Sequence, residues 1–83
     1  MHVVYILRST KTGGFYIGYT QNLKKRLKYH NLGLNRSTKN KGPWALVYKE
    51  VLSSKSEALK REKFLKKQKN KKFYERLIRG VAQ

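Results

Sequence analysis

The chain has 83 residues, of which 21 are Lys or Arg and only 4 are Asp or Glu, so its formal net charge is +17. A chain of this length builds one small core, and we expect a single domain over residues 1–83. It has no cysteine, which excludes a disulfide framework and zinc modules with thiolate ligands and is compatible with the cytoplasm. No apolar run approaches the roughly 18–20 residues of a membrane span, and the N-terminus lacks the pattern of a signal peptide.

The excess of positive charge indicates a polyanionic partner. A field of this sign concentrates nucleic acid around the protein and speeds their encounter. A membrane surface fits less well, because the basic residues are not confined to one lipid-facing helix. We therefore expect nucleic acid, DNA or RNA, as the partner. Charge alone does not separate an enzyme from a non-catalytic binder.

Two runs near the N-terminus, VVYIL and FYIGYT, are rich in β-branched and aromatic residues and are separated by a polar stretch that ends in two glycines. This pattern predicts a β-hairpin with a longer loop. With the loop centred between Thr10 and Lys11, Tyr5 lies directly opposite Tyr16, so two phenols meet on one face of the sheet. The pair is either an aromatic contact in the core or part of a site.

The next segment predicts a helix whose N-cap is Thr20 or Asn22. Arg26 lies one turn before His30, at the edge of the buried stripe, where a guanidinium reaches over the core. Arg26 is either a solvated arginine or a functional group, and His30 is either a satisfied buried histidine or part of a site. The stripe itself, at spacing i, i+4 and i+7, consists of Leu23, Leu27 and His30.

Residues 31–43 predict a loop that contains turn formers, hydroxyl groups and three basic residues, Arg36, Lys39 and Lys41. Such a loop either contacts phosphates or is mobile and solvated. Residues 44–52 then predict a third strand, with the single proline of the chain just before its start.

Ser54 and Glu57 match the capping box that opens a helix. Glu62 falls in the middle of the apolar arc of this helix, where a lone carboxylate is costly unless it is paired. It is therefore either half of a salt bridge or a metal ligand. Glu50 is expected to be an ordinary acid at a strand end, and Glu75 to be solvated. The apolar arc consists of Ala58, Leu59 and Leu65.

Residues 60–72 carry an almost unbroken run of positive charge that includes Arg61 and Lys66. Residues 68–70 predict a bend, and the last helix is expected to end near Gly80. The predicted order is β-β-α-β-α-α. This is an α+β fold, with a small three-stranded, mostly antiparallel sheet flanked by helices.

Val3-Val4-Tyr5 followed by Tyr16-Ile17-Gly18 resembles the two-part signature of the GIY-YIG nuclease family. The resemblance continues through the helix with Arg26 and His30 to the segment that ends at Glu62, so it spans nearly the whole chain. The chain looks most like small stand-alone members that are related to the nuclease domain of Slx-type structure-specific endonucleases.

This resemblance implies a metal-dependent endonuclease that hydrolyses DNA phosphodiester bonds, at branched or flapped structures in DNA repair or recombination. It implies a divalent ion, Mg²⁺ or Mn²⁺, held by Glu62. The residues that match the family's catalytic positions are Tyr5, Tyr16, Arg26, His30 and Glu62. Basic residues expected to contact nucleic acid are Arg26, Arg36, Lys39, Lys41, Arg61 and Lys66.

The chain departs from the family pattern at three points. Val3-Val4 replaces the Gly-Ile of the first motif, and the chain carries no separate DNA-binding or zinc domain. An asparagine that many members carry beyond the glutamate has only Asn70 as a counterpart, and its spacing does not support the assignment. Two alternatives therefore stay open: a non-catalytic nucleic-acid-binding module on the same fold, and a subunit that is inert until an accessory protein presents the substrate. The oligomeric state is also open.

Overall fold

The computed structural model of the protein describes residues 1–80. Its elements confirm the predicted order β-β-α-β-α-α and the α+β class. Residues 81–83 lie outside the described range, so a single domain over 1–83 stays a prediction. Within residues 1–80, no helix combines the length and the apolar character needed to cross a bilayer. The elements are β1 His2–Ser9, β2 Phe15–Thr20, α1 Leu23–Asn31, β3 Trp44–Leu52, α2 Lys55–Gln68 and α3 Lys71–Ile78.

The three strands form one antiparallel sheet in the order β2-β1-β3, so β1 is the central strand. In the hairpin, Tyr5 pairs with Gly18 and Leu7 pairs with Tyr16. The prediction that Tyr5 lies opposite Tyr16 is therefore wrong by two residues. Because a slip of two residues keeps every side chain on its face, Tyr5 and Tyr16 still share one face of the sheet.

The hairpin turn accounts for the shift in register. Ser9 N donates to Gly14 O at 2.8 Å, and Gly13 N donates back to Ser9 O at 2.9 Å. Gly13 has a φ of +76°, a left-handed conformation that glycine adopts without steric cost. The Ser9 hydroxyl oxygen also accepts from the backbone N–H groups of Lys11 and Thr12 at 3.1 and 2.9 Å. The turn therefore closes one residue later than the predicted centre.

Alternate residues of β1 build two different clusters. Val4 and Ile6 face α2 and α3 in the main apolar core, whereas Tyr5 and Leu7 face α1 in a smaller cluster. Leu59 was expected in the core but is 42% exposed, because α2 buries only the narrow stripe of Ala58 and Leu65. The main core also contains Ile17, Ala58, Leu65, Tyr74 and Leu77, and the smaller cluster contains Trp44 with the partly buried Tyr16, Leu23 and Leu27.

Asparagine and serine side chains cap the three helices. Asn22 caps α1 by accepting from Lys25 N, and Ser54 caps α2 by accepting from Glu57 N at 3.1 Å. The reciprocal half of the predicted capping box is not formed, because the Glu57 carboxylate accepts from the Ser53 hydroxyl instead. Asn70 caps α3 and accepts from the backbone of residues 72 and 73, which gives this asparagine a structural role.

Candidate active site

Tyr5 lies at the centre of the sheet and is 1% exposed. Its neighbour across the hairpin is Gly18, and a Cβ added there would lie 2.5 Å from Tyr5 Cζ and 3.0 Å from Tyr5 Cε1. Atoms at that separation overlap, so any larger residue at position 18 would push the phenol aside. Gly18 therefore leaves the space in which the Tyr5 ring lies over β2.

A chain of hydrogen bonds begins at the Tyr5 hydroxyl. Arg26 Nε donates to Tyr5 Oη at 3.4 Å, and Tyr5 Oη lies 2.9 Å from His30 Nε2. His30 Nδ1 in turn lies 2.9 Å from Thr38 Oγ1. The Tyr5 proton needs an acceptor in this buried position, and His30 Nε2 is the one within reach. We therefore assign Tyr5 as the donor to Nε2, which leaves the His30 proton on Nδ1 as the donor to Thr38.

Burial shifts the pKa values of both groups toward their neutral forms. It lowers the pKa of His30 from 6.5 to about 4, and the nearby charge of Arg26 acts in the same direction. Burial also raises the pKa of the Tyr5 phenol; Arg26 opposes this shift, while Tyr16 and Glu62 add to it. At neutral pH the pair is therefore a phenol hydrogen-bonded to a neutral imidazole, and Arg26 alone does not produce a tyrosinate.

Aromatic rings hold Arg26 and His30 from the sides. The Tyr16 ring centroid lies 4.8 Å from that of His30 and 6.3 Å from that of Trp44. Arg26 Cζ lies 4.9 Å from the centroid of Tyr29, which is one turn further along α1. The guanidinium thus stacks on one phenol and donates through Nε to another, so its two Nη groups point away from the Nε bond.

Thr38 and the residues that position it were not singled out in the sequence. Thr38 is 1% exposed, and its carbonyl oxygen accepts from Trp44 Nε1 at 3.2 Å. Asn31 accepts from Trp44 N at 2.7 Å and donates to Trp44 O at 3.2 Å. The buried tryptophan next to the single proline was the available signal that the preceding loop packs onto the domain.

The loop between α1 and β3 is attached to the hairpin turn. Ser9 Oγ donates to Lys41 O at 2.5 Å, and Thr10 N donates to Pro43 O at 3.0 Å. These bonds and the buried Thr38 show a packed loop, so the alternative of a loosely solvated loop is not what the structure contains. The three basic side chains that were predicted to contact nucleic acid are exposed on it: Arg36, Lys39 and Lys41.

Glu62 lies on α2, and its side chain is 18% exposed. Its Oε2 atom is 3.0 Å from Nζ of Lys66, one turn later, whose side chain is 52% exposed. The negative charge of Glu62 contributes to the raised pKa of Tyr5. Within residues 1–80, no hydrogen bond joins Glu62 to Tyr5. The carboxylate is thus already paired with a cationic side chain.

The side chains around Glu62 fit a metal site in which a single carboxylate is the protein ligand. Among residues 1–80 no group of three or more His, Cys, Asp or Glu side chains could surround an ion. Magnesium and manganese accept one protein carboxylate when water and phosphate oxygens supply the other ligands. Glu62 suits such an open site, provided that Lys66 gives up its place beside the carboxylate.

Glu50 is not the ordinary acid that was expected. Arg61 donates to it through Nε at 3.0 Å and through Nη2 at 2.8 Å, and the Tyr48 hydroxyl donates to the same carboxylate. Burial opposes ionisation of Glu50, but the bonds from Arg61 and Tyr48 keep its pKa below the usual value. Burial and Glu50 together raise the pKa of Tyr48 to about 12. The Arg61 guanidinium, predicted to contact nucleic acid, is therefore engaged in linking α2 to β3.

The family model of the GIY-YIG catalytic domain matches residues 1–75. The chain therefore belongs to the GIY-YIG family of nuclease domains, which confirms the resemblance seen in its two tyrosine motifs.

Its relatives include small bacterial proteins of the UPF0213 group. The chain is 47% identical over 62 residues to a UPF0213 protein of Staphylococcus haemolyticus, with 74% of each chain covered. It is 46% identical over 68 residues to one of Clostridium perfringens, covering 81% of this chain and 72% of the relative. The solution NMR structure of the UPF0213 protein BH0048 from Bacillus halodurans is similar with a TM-score of 0.56 and 35% identity, over 93% of this chain and 81% of that one.

Proposed function

We propose that the protein is a metal-dependent endonuclease that hydrolyses DNA phosphodiester bonds. The observation that carries this proposal is the buried Tyr5 hydroxyl, which bonds to both Arg26 and His30. A phenol, a guanidinium and a neutral imidazole on one face of the sheet supply a proton path next to a phosphate-binding group. Membership of a nuclease family makes phosphodiester hydrolysis the reaction that these groups suit best.

In the proposed reaction, Tyr5 Oη accepts a proton from the attacking water as its own proton passes to His30 Nε2. The water oxygen forms a bond to phosphorus as the bond to the sugar oxygen breaks, and the sugar oxygen leaves with the electron pair of that bond and takes a proton from solvent. His30 starts neutral because its pKa is about 4. A phosphate on Arg26 offsets the lesser cause of this low pKa, the charge of Arg26, so substrate binding shifts His30 toward accepting the proton. Tyr16, whose ring packs on His30, assists by fixing the orientation of the imidazole.

Arg26 binds the phosphoryl oxygens. Its Nε atom is engaged with Tyr5, so the two Nη groups remain to face a phosphate as a planar pair of donors. Donors aimed at developing charge stabilise the transition state more than the ground state. Arg26 therefore couples substrate binding to the phenol that activates the water.

Glu62 is the proposed ligand of a divalent cation, Mg²⁺ or Mn²⁺, and GIY-YIG nucleases generally depend on such an ion. When bound, the ion supplies positive charge at the phosphoryl and leaving oxygens. Lys66 shares the carboxylate and is half exposed, so it can turn into solvent when the ion arrives. Glu62 would hold the cation, and the charge of this carboxylate contributes to the raised pKa of the Tyr5 phenol.

The proposed DNA-binding surface includes the exposed basic residues of the packed loop, Arg36, Lys39 and Lys41, together with Arg26 and Lys66. Arg61 contributes mainly through its charge, because Glu50 engages its Nε and Nη2 atoms. A preference for branched or flapped DNA, and a role in repair or recombination, are proposed from the resemblance to Slx-type nucleases. The proposed location is the cytoplasm.

A second candidate is a nucleic-acid-binding module without catalysis. It is favoured by one observation: the groups of the site are held in unreactive states, with Glu62 paired to Lys66 and the pKa of the Tyr5 phenol raised. A module of this kind would bind DNA through its net charge of +17 and leave it intact.

The experiment is a nicking assay on flapped DNA with the parent protein, Glu62→Gln and the control Glu75→Gln, with and without Mg²⁺ or Mn²⁺. We expect cleavage by the parent and the control only with metal, and none by Glu62→Gln at ordinary magnesium concentrations. Loss of an ion pair with a half-exposed lysine costs little, so Glu62→Gln should melt close to the parent. Metal should raise the melting temperature of the parent but not of Glu62→Gln. A Glu62→Gln protein that cuts at the parent's rate would remove the carboxylate from the mechanism, and binding without cleavage by the parent would favour the second candidate.

A further inference from the structure

A cleft of about 480 Å³ lies between the start of β2 and the junction of α2 with α3. It has lysines on its helical side and the backbone of the hairpin on the other. Its lining residues are Gly14, Phe15, Tyr16, Ile17, Lys66, Lys69, Lys71 and Tyr74.

The charged side chains that line this cleft are all positive. The three lysines come from the last turn of α2, the junction and the first residue of α3, and among residues 1–80 no acidic side chain lines the cleft. Lys66 is paired with Glu62, whereas Lys69 and Lys71 have no ion-pair partner within residues 1–80. The ammonium groups of Lys69 and Lys71 carry like charges without a paired carboxylate, and a bound anion would offset those charges.

The backbone at the junction fixes the positions from which Lys69 and Lys71 project. Lys69 has a left-handed conformation with a φ of +44°, and Asn70 then caps α3 by accepting from the backbone of residues 72 and 73. Tyr74 Oη donates to Leu65 O at 2.6 Å and ties the two helices together from within the core. Lys71 Nζ extends to the hairpin turn, where it lies 3.9 Å from the position that a Cβ of Gly13 would occupy. The cleft is therefore a formed feature of the fold.

Two residues connect the cleft with the candidate active site. Tyr16 lines the cleft and also packs its ring against His30. Lys66 lines the cleft and also holds the Glu62 carboxylate. An extended polyanion that passes the Tyr5 site would therefore meet these lysines next along its path.

We propose that this lysine cleft binds a backbone phosphate of the nucleic acid, next to the phosphate that is cleaved at Tyr5. The inference rests on the proposed function and adds the course of the strand: from Arg26, past Tyr16, to the junction of α2 and α3. An anionic membrane is the weaker match, because the apolar side chains here pack into the core and offer nothing to insert into lipid. Those side chains are Phe15, Ile17 and Tyr74.

The first test compares two double variants that remove the same charge. Lys69→Gln/Lys71→Gln removes lysines of the cleft, whereas Lys60→Gln/Lys67→Gln removes two exposed lysines from another face of α2. DNA affinity is measured against salt concentration for a short duplex. One lost phosphate contact should make the slope of log K against log salt shallower by about 0.9. We expect this change in the cleft variant and a clearly smaller one in the control.

The second test locates the contact with a thymidine trinucleotide, (dT)₃, titrated into the full chain and followed by amide NMR. The amides of Gly14 and Phe15 should shift in the parent and in Lys60→Gln/Lys67→Gln, and stay in place in Lys69→Gln/Lys71→Gln. Equal salt slopes for the two double variants, or no shift at the cleft, would overturn the inference. So would tighter binding to anionic phospholipid vesicles than to DNA that depends on Lys69 and Lys71. If the parent still binds and cuts DNA in that case, the proposed function stands and only the cleft assignment fails.

Discussion

The two faces of the central strand differ in what holds them together. On one face, Val4 and Ile6 pack into a core of apolar side chains from α2 and α3. On the other, Tyr5 carries a buried hydroxyl that is satisfied by Arg26 and His30, both from α1. The first face depends mainly on volume and shape, with a buried hydrogen bond from Tyr74 Oη to Leu65 O, whereas the second needs each donor to meet its acceptor. The comparison indicates that the apolar face supplies stability and the polar face supplies chemistry.

The largest effect on stability is expected from the apolar face. Ile6→Ala leaves a cavity in the main core and should lower the free energy of unfolding by about 2–5 kcal/mol. The rate of DNA cleavage per folded molecule should stay near that of the parent. Chemical denaturation and single-turnover cleavage measure the two quantities. Val51→Ala, on a side chain that is 58% exposed, is the control and should be nearly neutral. If Ile6→Ala does not fold, Ile6→Val gives the same comparison at about 0.5–1.5 kcal/mol.

Arg26→Lys changes the polar face. In contrast to Ile6→Ala, it should reduce cleavage more than stability. The ammonium keeps the charge but loses the planar set of donors that joins Tyr5 to a phosphate. We expect DNA affinity within a few-fold of the parent and cleavage reduced by about a hundredfold, the scale for losing one transition-state donor. Arg79→Lys, at the exposed end of α3, is the matched control. Equal losses of binding and cleavage would make Arg26 an ordinary phosphate contact.

Gly18→Ala tests the space that the Tyr5 ring occupies. The new methyl group would lie 2.5 Å from Tyr5 Cζ, so the ring has to move and its bonds to Arg26 and His30 have to lengthen. We expect a loss of about 1–3 kcal/mol in stability, together with reduced cleavage. In Gly14→Ala the nearest atom is the Thr12 hydroxyl at 3.2 Å, a side chain that can rotate away. Equal melting temperatures for Gly18→Ala and Gly14→Ala would show that the close approach of Tyr5 to Gly18 does not make substitution at position 18 destabilising.

A smaller effect is expected from pH, and its main source above the range in which carboxyl groups titrate is His30. The folded pKa is about 4 and the unfolded value is 6.5, so the unfolded chain binds the proton more strongly. The stability of the parent should therefore be full above pH 6.5 and fall as the pH drops toward 4. The His30→Gln variant should be less stable than the parent at neutral pH, but its stability should change less with pH across that range. His2→Gln, which removes the other histidine, should keep the slope of the parent; a slope unchanged in His30→Gln would contradict the assignment.

Much of the fold follows from local patterns. The β-branched and aromatic runs of β1 and β2, the helix stripe of α1 and the capping residue Ser54 were visible in the sequence, as was Asn22 as one of two candidate caps. Each depends on residues close along the chain. The register of the hairpin was not visible in the sequence. It depends on which hydrogen bonds Ser9 makes inside the turn, and composition does not determine these.

The candidate site shows the same difference between local patterns and long-range contacts. Tyr5, Arg26 and His30 were singled out by motif and by helical spacing, and the structure brings the three side chains into one hydrogen-bonded group. Thr38 was missed because it reaches His30 from a loop without periodicity. The pairing of Glu50 with Arg61, 11 positions apart, was missed because it needs α2 to be docked on β3. Long-range polar partners of this kind become visible only when the elements are packed.

The most direct test of the contrast between the faces is Tyr5→Phe, measured by single-turnover cleavage of flapped DNA with saturating Mg²⁺ or Mn²⁺ and by thermal melting of the same sample. The substitution removes one oxygen from the polar face and leaves the apolar face untouched. We predict that the variant folds, binds DNA within a few-fold of the parent and loses cleavage by at least about a hundredfold, since the proton path through the phenol is gone. Cleavage at the parent's rate by folded Tyr5→Phe would contradict the account, because the water would then be activated elsewhere.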